Sequence, residues 1–177
     1  MSFWAFVGLI VVAVVEMVLS LRWNRAYFVK GVPIFRTQLS AHLLGPALPS
    51  PERMAERLAK SAFPPLAFHQ LDETKLAFRE RAAGAWLRIG YSPVMHGLLV
   101  FDRFAQRIEV TGLVNWWVPA FATIFIAGVL AAGAALMLAF LALVLGVIYL
   151  IQAGRFRQVA KVALDEWSPR ARQVAGA

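Results

Sequence analysis

No charged residue occurs between Glu109 and Arg155. That uncharged stretch limits what the chain can fold into more than any other feature. Its core, Trp116 to Ile151, is 36 residues long. As a single helix it would run about 54 Å, against a bilayer hydrocarbon thickness of about 30 Å. Tilt does not comfortably absorb such an excess. A hairpin of two helices, over 116–132 and 134–151, fits better. The reversal is expected in GVLAAGAA at 128–135, where small residues permit close approach although no polar turn residue marks the bend.

A second apolar segment opens the chain. Residues 3–21 read FWAFVGLIVVAVVEMVLSL, with Glu16 as their only charged residue. A secretory signal would begin with basic residues and end in a small-residue cleavage site, and the segment has neither. It reads as a transmembrane helix over 1–21. Composition agrees: 60% of residues are hydrophobic, 16% are charged and the mean hydropathy is +0.64. A soluble domain is nearer ~45–50% and ~25%.

Charge supplies the topology. The formal net charge is +8. Basic residues follow the first apolar segment at Arg22, Arg25, Lys30 and Arg36, and the last one at Arg155, Arg157 and Lys161. The positive-inside rule places both flanks in the cytoplasm, which requires an even number of crossings between them. The expectation is therefore three spans, with the N-terminus outside and residues 22–113 and 153–177 cytoplasmic, in a bacterial inner membrane.

Residues 22–113 read as a small α+β domain. AYFV and IFRTQL flank a Gly-Val-Pro break and suggest a β-hairpin. Ser50-Pro51-Glu52 is a helix start, with a Ser cap and Pro at the first position. Met54, Ala55 and Leu58 form its apolar face, and Pro64-Pro65 end it. Beyond residue 66 the period becomes two. Runs at 76–79, 86–91, 97–101 and 107–111 predict an antiparallel meander of about four strands, the last two joined as a hairpin across Asp102–Gln106. Phe63, Phe68, Phe78, Trp86, Ile89 and Phe101 are its expected core. Past Gly154 an apolar stripe of Phe156, Val159, Ala160, Ala163 and Trp167 predicts an amphipathic basic helix that touches anionic lipid first and docks on the domain through Trp167.

Few residues suggest chemistry. Glu16 lies about 9 Å inside the first span, where a carboxylate is costly and calls for a partner or a role in transport. Trp23, Trp116 and Trp117 sit at span ends, as interfacial belts do, and Arg155, Arg157 and Lys161 are placed for anionic headgroups. His69, Asp72 and Glu73 form H-x-x-D-E, and His96 would have to join them to complete a metal or acid–base site. The chain has no Cys, so thiolate chemistry is excluded. No P-loop, G-x-S-x-G, S-x-x-K, G-x-G-x-x-G or H-E-x-x-H motif occurs, and no aromatic-basic nucleic-acid signature. No motif identifies a family and no cofactor is implied. The expected function is a non-enzymatic, membrane-anchored accessory or interaction subunit, with the bilayer and a protein partner or second copy as its partners. The alternatives are a membrane-bound hydrolase or metalloenzyme using His69, Asp72, Glu73 and His96, or a small transport component using Glu16.

Overall fold

The computed structural model describes residues 3–40, 48–59, 64–81 and 95–167. The chain runs α1 (Phe3–Leu21), α2 (Arg25–Lys30), β1 (Pro33–Ser40), α3 (Pro51–Ala59), β2 (Leu66–Asp72), β3 (Lys75–Glu80), β4 (His96–Asp102), β5 (Arg107–Leu113), α4 (Trp117–Ala131) and α5 (Ala135–Trp167). The five strands form one antiparallel sheet in the order β1-β5-β4-β3-β2. The runs at 76–79, 97–101 and 107–111 form β3, β4 and β5 as the period-two pattern predicts, whereas β2 (Leu66–Asp72) is a strand the pattern does not mark, and β1 adds on the outer edge of β5. The expected run at 86–91, with Trp86 and Ile89, and Phe63 lie outside the described residues.

The hairpin expected from AYFV and IFRTQL does not form. AYFV lies inside α2, and IFRTQL, in β1, pairs with β5. The reason is local. Asn24 caps α2, its side chain accepting from the Tyr27 amide at 3.1 Å. A helical turn then brings Tyr27 and Phe28 together onto the sheet, where both are buried. An alternating strand would have sent one of them to each face.

Turn chemistry supports the other elements. The Ser50 hydroxyl accepts from the Arg53 amide at 3.5 Å, so α3 begins at its Ser cap. Asp72 Oδ1 accepts from the Thr74 amide and hydroxyl at 2.9 and 3.0 Å, closing the β2–β3 turn. Asp102 Oδ1 accepts from the Ala105 amide at 2.9 Å in the β4–β5 turn.

Both faces of the sheet are covered. On one face Phe35, Leu66, Leu76, Phe78, Leu99, Phe101, Ile108 and Val110 meet α3 and the C-terminal half of α5. On the other, Ala77, Leu98 and Leu113 meet Tyr27 and Phe28, with Leu19, Trp23 and Trp116 around them. The first face is shaped for one ring. Gly97 and Gly112 are cross-strand partners, and Gly112 also faces Phe35. Phe156 lies over Gly112, stacked on Phe35 at 5.2 Å and edge-on to Phe78 at 6.0 Å. A Cβ on Gly112 would overlap that ring.

The chain turns sharply between α4 and α5. Gly133 has φ +66°, the Ala134 amide donates to Val129 and the Gly133 amide to Leu130. This is the double hydrogen bond of a Schellman motif, and a glycine supplies its left-handed residue. Small residues thus make the reversal unaided by a polar turn residue. Among the described residues one helix, Leu136–Trp167, is by length and composition apolar and long enough to cross a membrane, while Val7–Leu21 and Trp117–Ala131 are shorter apolar helices.

α5 is continuous through residue 167. Arg155, Phe156, Val159, Ala160, Ala163 and Trp167 are all buried against the domain. The expected lipid contact of Arg155 is therefore corrected: one face of this half of the helix docks on the domain, while Arg157 and Lys161 stay exposed on the other. Trp167 meets Phe101 edge-on at 4.7 Å. The remaining tail lies outside the described residues.

Candidate functional site

Glu16 faces inward from the last turns of α1 and is 4% exposed. Three donors converge on it. The Tyr27 hydroxyl donates to Oε1 at 2.6 Å, the Trp116 amide to Oε1 at 2.9 Å and the Trp117 amide to Oε2 at 3.4 Å. The first amides of a helix have no partner within it. α4 receives no cap from its own Trp116 side chain. Glu16 takes that place from another helix, and its negative charge meets the positive end of the α4 dipole. It therefore ties α1, α2 and α4 together where all three meet the sheet.

The network extends into the sheet. His96 Nε2 lies 2.9 Å from the Tyr27 hydroxyl, and the two rings stack at 5.1 Å. Burial, with the Glu16 carboxylate adding to it, pushes the Tyr27 hydroxyl well above the usual phenol range. The phenol therefore keeps its single proton and donates a hydrogen bond with it to Glu16. It can then only accept from His96, so Nε2 carries a hydrogen. The result is a one-way chain of donors from His96 through Tyr27 to Glu16.

A second buried polar pair holds α5. Arg155 donates to Glu80 Oε1 and, at 3.2 Å, to the Pro64 carbonyl. Burial raises the Glu80 carboxyl, against the opposing pull of Arg155 and of its hydrogen bonds. Arg155 was expected at the lipid interface; it is instead 4% exposed inside the domain, because Glu80 supplies a counter-charge there. Arg157 and Lys161, on the other side of the helix, are exposed.

The remaining sequence candidates do not converge. Asp72 pairs with Arg25 at 3.0 Å and Lys75 at 3.5 Å. Glu73 is exposed in the same turn, and His69 is exposed on β2 and stacked on Trp23 at 5.2 Å. His96 belongs to the Tyr27 network. Among the described residues no group of three His, Cys, Asp or Glu side chains is placed to hold a metal. Trp116 packs edge-on against Tyr27 at 5.3 Å, and Trp117 is half-buried beside it. Trp23, half-buried just past α1, stacks on Phe28 at 5.6 Å and on His69 at 5.2 Å. The sequence reading missed Tyr27 and Glu80. A strand assignment hid the first, and nothing around the second marks it as buried.

Comparison of the chain with protein-family models, curated proteins and solved structures finds no match.

Proposed function

We propose that the protein is a membrane-anchored accessory or interaction module that holds a small α+β domain firmly against the cytoplasmic face of a bilayer. One observation carries this reading. α5 changes its surroundings midway without a break. Its first half exposes Leu136, Phe140, Leu143 and Leu150 at 86, 68, 66 and 69%, whereas its second half buries Phe156 and Trp167 at 0%. Side chains of the first kind need an apolar solvent, and those of the second already have a protein core.

The end of α1 and the start of α4 meet at Glu16, α1 packs on α4, α4 packs on α5, and α5 returns to the same domain. Three crossings then place the N-terminus and the α4–α5 turn outside. The rigid attachment, through Glu16 on one sheet face and through Arg155 and Phe156 on the other, favours a scaffold over a tethered, freely moving domain. His69, Asp72 and Glu73 lie on β2 and its turn while His96 sits in the Tyr27 network, so the particular four-residue site of the hydrolase or metalloenzyme alternative is not assembled.

The protein has no native Cys, so single cysteines report topology cleanly. In intact cells Ala134→Cys, in the α4–α5 turn, should react with an impermeant thiol reagent, and Ser50→Cys should react only after lysis. Reaction of Ser50→Cys from outside would overturn the orientation. Protection of Ala134→Cys in intact cells would overturn the third crossing.

A further inference from the structure

Arg79 has no carboxylate partner among the described residues, and the residues outside them contain no Asp or Glu. Its Nη1 donates to the Glu80 backbone carbonyl at 3.4 Å, its Nε is buried without an acceptor, and its guanidinium carbon stands 4.6 Å from the centre of the Trp23 ring. An arginine set over an aromatic face, half out of water and without a counter-charge, is an unusual arrangement.

The platform beneath it is built. Trp23 has φ +52°, a left-handed conformation that a bulky residue adopts only under constraint. It occupies the left-handed position that ends α1, with the Asn24 amide on Leu19 and the Trp23 amide on Ser20. Stacking on Phe28 at 5.6 Å and on His69 at 5.2 Å holds the indole there. On β2 and β3, His69 faces Ala77 and Arg79 faces Ala67. The two alanines leave room between His69 and Arg79 for the ring.

We propose that Arg79, seated on Trp23, takes the phosphate of an anionic lipid headgroup. The inference rests on the membrane-anchored reading above. Trp23 lies two residues beyond the end of α1, so the site sits at headgroup depth when α1 spans the bilayer. Arg22, exposed and just before Trp23, adds a second cation without an ion pair among the described residues. A guanidinium fork matches a phosphate better than an ammonium does. Burial lowers the affinity of Arg79 for its proton, and a bound phosphate restores the missing counter-charge. The site thus makes the docked domain sensitive to the lipid beneath it.

The full-length protein in mild detergent, titrated with phosphatidylglycerol, phosphatidylcholine or inorganic phosphate and read by native mass spectrometry, tests this. Wild type should retain phosphatidylglycerol in preference to phosphatidylcholine. Arg79→Gln should lose about fivefold in that retention, the loss expected of one basic residue at ~1 kcal/mol. Arg103→Gln, exposed in the β4–β5 turn, should not. Arg79→Lys should fall between wild type and Arg79→Gln. Saturation by inorganic phosphate at equal concentration would assign the site to a free anion and overturn the lipid. Equal retention by Arg79→Gln, with an unchanged melting temperature, would overturn the site. Flotation with vesicles separates the two readings: both proteins should float, and failure of wild type to float would remove the membrane reading itself.

Discussion

The Phe156 ring rests on Gly112, so close that any side chain at position 112 would occupy the same space. Gly112→Ala should cost ~1–3 kcal/mol of stability through overpacking, seen as a lower melting temperature in detergent. Gly128→Ala has nothing within 4 Å of its added methyl and lies inside α4, so it should be neutral or slightly stabilising. Equal behaviour of the two variants would mean that Phe156 does not set the register of α5 on the sheet.

Arg155 and Glu80 should be unequal to the sum of their parts. Removing either alone leaves a buried charge without its partner, a loss of ~3–5 kcal/mol. The double variant Glu80→Leu with Arg155→Met should lose less than either single change. Denaturation of the three variants side by side checks this. A double variant as unstable as the sum of the singles would show that the pair is not coupled.

Trp167 fills the end of the core against Phe101, and its indole N–H has no hydrogen-bond partner among the described residues. Trp167→Ala should cost ~3–5 kcal/mol. Trp167→Phe should cost much less, because it gives up an unsatisfied donor and keeps a ring. Unchanged stability of Trp167→Ala would sink the docking of α5.

Tyr27→Phe removes the one group that serves both Glu16 and His96. The expected loss is ~1–3 kcal/mol, the cost of stranding buried polar atoms. Glu16→Gln should also destabilise, since it weakens the cap on α4. Combined, the two changes should cost less than their sum, because they break one network. Additive losses in thermal melts would place the residues in separate networks.

Acid should unmask Asp72. Burial pushes its carboxyl up, but the Thr74 amide and hydroxyl and Lys75 outweigh burial and hold it below its free value of 3.8. Its contribution to stability is therefore present above that value and lost as pH falls through the lower folded value. The melting-temperature gap between wild type and Asp72→Asn should hold steady from about pH 5 to 8 and close below about pH 4. A gap that persists undiminished at pH 2 would assign the effect to turn geometry instead of charge.

Much of this architecture was legible in the residues, for reasons that are local. Ser50-Pro51 opens a helix because a hydroxyl and a fixed φ suit its first turn. Ile108 and Val110 point one way because strands alternate. The uncharged stretch divides into two helices at Gly133, because a glycine among small residues takes the left-handed conformation that ends a helix. Tyr27 and Phe28 were misread because β-prone residues carry no sign that a capping Asn and a buried face will bend them into a helix.

By itself the sequence determined the start of α3, the strands β3, β4 and β5, the apolar stripe of α5 and the charge pattern that suggests an orientation. Each depends on neighbours a few residues apart. Only the tertiary structure decided the partners of Glu16, Arg155 and Arg79. Glu16 meets an amide 100 positions away and Arg155 a carboxylate 75 positions away. Whether a charged residue faces lipid, water or a counter-charge is set by what folds against it, and no local pattern records that.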